Sequence, residues 1–185
     1  MPIQSPSQTV GPFFHNCLIR GGENSLTTPQ TQGQHIVIQG QVLDGDGQPV
    51  PDAMVEIWQA DANGYFNHPE DPNQSQADPN FHGFGRAETA DYGRFTFHTI
   101  KPGTIPGEQT PYINVRVFAR GMLIHAVTRL YFADEVGNAS DDVLNTVPAD
   151  RRDTLIAAPE DVPGFPTYRF DIHLQGELET VFFDL

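Results

Sequence analysis

The sequence predicts an all-β protein, a β-sandwich with long loops and one or two short helices. Short apolar runs of strand length recur along the chain. The 17 glycines and 16 prolines fall between these runs, where they mark tight turns. Within several runs apolar and polar side chains alternate, as in a strand with one buried face. No fixed-period repeat or linker divides the chain. We therefore expect one domain over residues 1–185, with an arm over 1–34 and the sandwich over 35–185.

The strands are predicted from local patterns taken in chain order. Residues 35–43 are rich in β-branched side chains and end at an Asp/Gly turn cluster. Phe95 and Phe97 alternate with polar neighbours, and Ile113, Val115 and Val117 do the same. The predicted strands cover residues 35–43, 53–59, 94–98, 113–117, 122–132, 168–174 and 179–183.

Helical signals are few. Ser140, Asp141 and Asp142 provide capping residues before Val143, and Pro148 suits the first position of a second short helix. Two polar stretches rich in Asn, Gln, Pro and Thr, residues 20–33 and 67–80, are predicted to be loops.

Charge and composition exclude several classes of protein. The chain carries 10 basic and 24 acidic residues, a formal net charge of −14, so it would repel nucleic acid and anionic membranes. The first residues lack the basic and apolar regions of a secretory signal, which favours a cytoplasmic protein. Cys17 is the only cysteine and is interpreted as a small core or interface residue.

Common catalytic motifs are missing. The sequence has no Gly-x-Ser-x-Gly, no Gly-x-Gly-x-x-Gly and no His-Glu-x-x-His. Two ligands on one strand face must lie two residues apart, and none of the seven histidines has that spacing. The sequence therefore contains no His-x-His metal pair, and the histidines are interpreted as lone surface or core residues.

An ordered set of segments across nearly the whole chain resembles the intradiol ring-cleavage dioxygenases. Each segment is weakly specific by itself, but together and in this order they are typical of that family. They are Pro6–Phe13, Gly40–Gly64 with Val55-Glu56-Ile57-Trp58-Gln59, Phe97–Gly103 with Lys101-Pro102-Gly103, Phe118–Gly121, and Tyr168–Asp184. The resemblance implies a transthyretin-like β-sandwich.

Active members of the family hold a ferric ion with two tyrosinates and two histidines. The resemblance places those positions at Phe66, Ile105, Tyr112 and Asn114 of this sequence. Phenylalanine and isoleucine offer no donor atom, and a hard ferric ion needs anionic ligands. The resemblance therefore implies that this chain holds no cofactor. It implies instead a homologous beta subunit that carries ferric iron on the Tyr/Tyr/His/His set.

Such an iron-free chain is expected to complete the partner's pocket for a carboxylated catechol and O2. By the resemblance, its substrate-binding residues are Thr9, Gly11, Pro12 and Arg120. A guanidinium is a permanent planar cation suited to a benzoate carboxylate, although Arg120 also has the simpler option of pairing with a nearby acid. Arg129 is a second candidate for contact with the substrate anion. Its position within an alternating strand favours a structural ion pair instead.

Two alternatives stay open from the sequence. The turn that begins at Gly40, the strand that follows it and the segment Asp91–Phe95 also occur in non-catalytic transthyretin-like binding modules, which would leave any partner's turnover unchanged. A self-sufficient homomeric dioxygenase would need iron in this chain alone, and the missing His-x-His disfavours it.

Overall fold

The computed structural model describes residues 17–89 and 91–184. Its strands are β1 (His35–Leu43), β2 (Met54–Trp58), β3 (Phe84–Glu88), β4 (Arg94–Ile100), β5 (Tyr112–Phe118), β6 (Ala126–Phe132), β7 (Ile156–Glu160), β8 (Thr167–Arg169) and β9 (Ile172–His173). One short α-helix, α1, covers Asp142–Thr146. The 3₁₀ turns cover Gln74–Gln76, Asp91–Gly93, Val136–Ser140 and Ala149–Leu155. The predicted all-β class is confirmed.

Hydrogen bonds join the strands in one continuous path. The order is β3-β2-β5-β6-β7-β8-β1-β4, with β9 beside β1. Most neighbouring pairs are antiparallel, while β7 runs parallel to β6, and β8 and β9 run parallel to β1. The sequence predicted two packed layers, whereas β7 joins the two halves of the path, β3-β2-β5-β6 and β8-β1-β4, by hydrogen bonds.

The main core contains residues from both halves of this path. Ile38 of β1 and Phe97 of β4 are fully buried together with Val55 of β2 and Ile113 and Val115 of β5. Alternate residues of each strand enter this core, so the intervening residues of β2, β5 and β6 face away from it. Burial of this apolar surface is the main source of stability.

A second, smaller apolar cluster lies on the other side of β5 and β6. It contains Tyr112, Tyr131, Leu144, Val147 and Leu155, and Ile105 packs against it. Helix α1 belongs to this cluster, and its N-cap is Asp141, whose Oδ1 accepts from the Leu144 N–H at 2.7 Å. The predicted cap is therefore confirmed.

Several predicted bounds were wrong. The run at 122–132 forms strand only from Ala126, because the preceding residues make the β5–β6 turn. Residues 168–174 split into β8 and β9, and residues 179–183 form no strand. That last segment makes single backbone hydrogen bonds instead, such as Phe183 N–H to the Val127 carbonyl at 2.8 Å. Strands β3 and β7 were not predicted.

In the part of the chain that the structure describes, helices are all too short or too polar to cross a lipid bilayer.

Candidate functional site

The face of β5 that points away from the main core carries Tyr112, Asn114 and Arg116. Antiparallel pairing places Asn114 opposite Trp58 of β2 on one side and opposite Arg129 of β6 on the other. Side chains directly opposite one another in neighbouring strands share a face and lie in contact range. By the resemblance, four positions correspond to the family's iron ligands but carry other residues here, and we call them the degenerate positions. Two of them, Tyr112 and Asn114, therefore lie on one face with Trp58 and Arg129.

The other two degenerate positions, Phe66 and Ile105, come from loops. The Phe66 ring stacks on Trp58 with ring centroids 5.6 Å apart and planes within 7° of parallel. Ile105 lines the same cavity of about 410 Å³ as Trp58 and Phe66, and it also packs against the Tyr112 cluster. The structure thus brings all four positions around the outer face of β2 and β5.

A tight loop after β2 holds Phe66 in this place. Asp61 Oδ1 accepts hydrogen bonds from the backbone N–H groups of Asn63 at 2.8 Å and Tyr65 at 3.0 Å. Gly64 has φ +86°, and a Cβ there would lie 2.1 Å from the Thr104 carbonyl oxygen. Glycine is required because both the left-handed conformation and the close approach exclude a side chain. This approach brings the Phe66 loop against the loop that carries Ile105.

Tyr112 is buried beside a guanidinium. The residue is 8% exposed, and the Arg129 guanidinium carbon lies 3.9 Å from the ring centroid. Burial raises the pKa of Tyr112 above its ordinary value, and the Arg129 charge offsets only part of that rise. Arg129 Nη1 also donates to the Tyr131 hydroxyl at 3.4 Å, and burial raises the pKa of Tyr131 as well.

These residues do not fit a ferric ion. Phe66 and Ile105 have no donor atom, and the Arg129 guanidinium places a positive charge beside Tyr112. Within residues 17–89 and 91–184, no three His, Cys, Asp or Glu side chains are grouped to bind a metal.

Arg120 lies at the surface, in the turn that follows β5. Its Nη2 is 2.7 Å from Asp52 Oδ2, and its side chain is 81% exposed. Leu123 and Ile124 in the same turn are 69% and 66% exposed. The structure therefore shows Arg120 paired with an acid at the surface, and it places Arg120 in a different connection from the four degenerate positions.

Other predicted residues have different outcomes. The ion pair expected for Arg129 is wrong: within the described part of the chain it contacts tyrosines, and no carboxylate lies within ion-pair distance. Cys17 is exposed, so a core position is wrong, while the alternative of an interface residue stays a prediction. The three predicted substrate-binding residues of the N-terminal loop lie outside the described residues: Thr9, Gly11 and Pro12.

Sequence reasoning missed a larger cavity on the same sheet face. This cavity, of about 620 Å³, is lined by Trp58, His68, Phe84, Asn114, Arg116 and other residues of β2 and β6. The alternation of β5 carries the signal that was missed, because Arg116 is two residues from Asn114 and must share its face. The contribution of Phe84 depends on strand pairing between β2 and β3.

Comparison with known proteins identifies the class to which this fold and this degenerate site belong. The model of the dioxygenase family matches residues 10–176. The chain belongs to that family, and the resemblance inferred from the sequence is confirmed. A solved dioxygenase domain from Streptomyces sp. SirexAA-E superposes with a TM-score of 0.67 at 26% identity, covering 94% of this chain and 99% of that one.

Among curated relatives, the chain is similar to individual subunits. It is 46% identical to the protocatechuate 3,4-dioxygenase alpha chain of Burkholderia cepacia, over 98% of each chain. Identity to the same alpha chain of Pseudomonas putida is also 46%, over 100% of both. The beta chain of the Burkholderia cepacia enzyme is 34% identical over 92% of this chain and 75% of its own length.

Proposed function

We propose that this chain is the iron-free alpha subunit of a protocatechuate 3,4-dioxygenase and completes the substrate pocket of an iron-bearing beta subunit. The observation that carries the proposal is 46% identity to alpha chains over nearly their whole length, together with four positions around Trp58 that lack the family's iron ligands. Identity is 46% to two alpha chains and 34% to a beta chain. A chain that retains the fold but lacks the ligands is suited to shaping a pocket and unsuited to holding the metal.

The proposed reaction is intradiol cleavage of 3,4-dihydroxybenzoate by O2 to 3-carboxy-cis,cis-muconate, a step in the catabolism of an aromatic compound. Ferric iron on two tyrosines and two histidines of the beta subunit would supply the oxygen chemistry. This chain would supply binding and orientation. The fork of the Arg120 guanidinium would take the substrate carboxylate, and Thr9, Gly11 and Pro12 would form a wall against the ring.

The surface around Arg120 is consistent with a partner. Its single ion pair with Asp52 leaves other guanidinium donors unused, and the side chain is 81% exposed. Exposed Leu123 and Ile124 add apolar surface to the same turn, as at an interface that another subunit covers. We infer that residues 1–34 form an arm toward the partner's pocket and residues 35–185 a transthyretin-like β-sandwich. We further infer that the alpha–beta pairs assemble further and are cytoplasmic.

The test is co-expression with the homologous beta chain encoded in the same source. Three preparations are compared for iron content and for O2 uptake with protocatechuate: this chain alone, the beta chain alone, and both together. We expect iron and full turnover only with both chains. Turnover of the beta chain that is unchanged by this chain would indicate a binding module instead. Stoichiometric iron and O2 uptake in this chain alone would indicate a homomeric dioxygenase.

A further inference from the structure

Three basic residues share one face of the sheet in an acidic protein. The chain has ten basic residues against 24 acidic ones. Three of the ten, Arg86, Arg116 and Arg129, lie on the outer face of the neighbouring strands β3, β2, β5 and β6. Glu56 on the same face is paired with Arg86, so the charge that this face offers to an anion comes from Arg116 and Arg129.

Within the cavity of about 620 Å³ on this face, one guanidinium has no acidic partner. Glu56 also lines the cavity, but its Oε1 accepts from Arg86 Nε at 2.6 Å, so that carboxylate is already neutralised. Arg116 is exposed, and no carboxylate of residues 17–89 or 91–184 lies within ion-pair distance of it. Asn114, two residues away on the same face, adds an amide donor.

The remaining wall of the cavity is aromatic. Trp58 and Phe84 are cross-strand neighbours with ring centroids 6.3 Å apart, and the His68 ring meets Trp58 edge-on at 5.8 Å. Phe84 is 41% exposed; the Arg86 guanidinium carbon lies 5.0 Å from its ring centroid, and the exposed remainder of the ring is available to a ligand. Aromatic walls favour a flat unsaturated ring, and a planar guanidinium favours a carboxylate.

We propose that this cavity binds a small aromatic carboxylate, with its ring against Trp58 and Phe84 and its carboxylate on Arg116 and Asn114. The volume lies in the range of small-molecule sites, roughly 300–1,000 Å³. The site belongs to this chain alone and involves binding without bond making or breaking. It does not depend on the proposed function, because the turnover assigned there belongs to the partner's iron.

Trp58 makes the site directly observable, since it is the only tryptophan in the chain. Incorporation of 5-fluorotryptophan gives one ¹⁹F resonance, which is followed while benzoate is added. The titration uses the full chain alone and again after assembly with an unlabelled partner. Cyclohexanecarboxylate, which keeps the charge without the ring, and benzamide, which keeps the ring without the charge, are the comparison ligands.

We expect a saturable shift with benzoate and weaker binding of both comparison ligands. Arg116→Gln should weaken benzoate binding about tenfold or more, because it removes a charge-assisted hydrogen bond. The matched control is Arg94→Gln, a guanidinium on β4 that stacks on Tyr92 away from the cavity, and it should change nothing. Absence of a saturable shift in both preparations, or equal affinity in Arg116→Gln and Arg94→Gln, would overturn the proposal. Neither result would alter the turnover assay of the assembled enzyme.

Discussion

The Arg129 guanidinium carbon lies 3.9 Å from the centroid of the Tyr112 ring. Tyr112 occupies a position where the family resemblance implies an iron ligand, so a fixed cation stands beside a degenerate metal position. Repulsion between like charges is strong where water is partly excluded. The charge beside Tyr112 therefore adds to the absent donors of Phe66 and Ile105 in disfavouring a ferric ion here.

Restoring the two missing histidines should not restore iron. In the double variant Tyr112→His/Asn114→His, Phe66 and Ile105 still provide no anion, and Arg129 still repels a cation. Iron measured by elemental analysis after incubation with ferric citrate and desalting should stay far below one per chain. Addition of Arg129→Met to the same variant separates the effect of charge from that of donors. Stoichiometric iron in the double variant would contradict the assignment.

A buried polar contact supports the end of β2, next to Trp58. Gln59 is 2% exposed, and its Oε1 accepts from the Thr99 hydroxyl at 2.8 Å. Thr99→Val removes the donor and leaves a buried oxygen unsatisfied, which costs about 1–3 kcal/mol. Urea unfolding should show that loss in the free energy of unfolding, whereas Thr99→Ser keeps the hydroxyl and should lose less. A loss in Thr99→Val no larger than the loss in Thr99→Ser would show that the hydroxyl contact to Gln59 does not contribute to stability.

The sequence predicted the strands that bury large side chains. β1, β4 and β5 alternate clearly because Ile38, Phe97 and Val115 enter the core. β3 was missed because its two buried positions are Gly85 and Ala87, which give almost no hydrophobic signal.

β7 was missed for a different reason. It contains Pro159, and a proline within a run argues against a strand. Parallel pairing with β6 and antiparallel pairing with β8 nevertheless hold this short segment in the middle of the path.

The site could be predicted only in part. Motif spacing located Phe66, Ile105, Tyr112 and Asn114, but spacing alone cannot tell which strands lie side by side. The row formed by Trp58, Asn114 and Arg129 depends on the register of β2, β5 and β6. For the same reason an ion pair was expected for Arg129, since its aromatic neighbour Tyr112 lies on another strand.

Gly64 and Gly107 form a matched pair for testing the loop that holds Phe66. Both have positive φ, at +86° and +96°, but only Gly64 is crowded, since a Cβ there would lie 2.1 Å from the Thr104 oxygen. Gly107→Ala should lower the free energy of unfolding by about 1–2 kcal/mol, because alanine is strained in the left-handed conformation. Gly64→Ala should lose clearly more and should also change the Trp58 fluorescence by displacing Phe66. Equal losses in thermal unfolding, with unchanged fluorescence, would show that the close approach is unimportant.

Asp134 should make stability depend on pH in mild acid. Burial opposes its ionisation, but hydrogen bonds from Lys101 at 2.8 Å and Tyr168 at 3.0 Å outweigh burial and lower the pKa of Asp134. A lowered folded-state pKa stabilises the fold above the unfolded pKa, and this contribution is lost as pH falls through the folded value. The difference in free energy of unfolding between the native protein and Asp134→Asn should therefore shrink from pH 6 to pH 3.

The control for this prediction is Asp161→Asn, an exposed aspartate between β7 and β8. The difference in free energy of unfolding between Asp161→Asn and the native protein, measured by urea unfolding, should be small and nearly constant over the same pH range. A difference for Asp134→Asn that stays constant or grows toward pH 3 would show that the Lys101 and Tyr168 contacts do not stabilise the ionised carboxylate.

Arg120→Ala tests the proposed carboxylate contact, because the structure separates its effect on stability from its effect on binding. The side chain is 81% exposed with one surface ion pair, so unfolding of this chain should change by less than about 1 kcal/mol. In the complex, loss of a charge-assisted contact in a dry pocket should cost about 2–4 kcal/mol of substrate binding, or roughly 30- to 1,000-fold in KM for protocatechuate. Catechol lacks the carboxylate, so its KM should hardly change.

Arg94→Ala is the matched surface control for the same kinetics, and it should leave KM unchanged for both protocatechuate and catechol. An equal rise in KM for protocatechuate and catechol would indicate a distorted pocket, since only a carboxylate contact distinguishes the two substrates. Unchanged kinetics for both would remove Arg120 from the pocket and leave Asp52 as its structural partner. The selective loss is expected because a guanidinium that is only partly used by one surface aspartate has donors left for a second carboxylate.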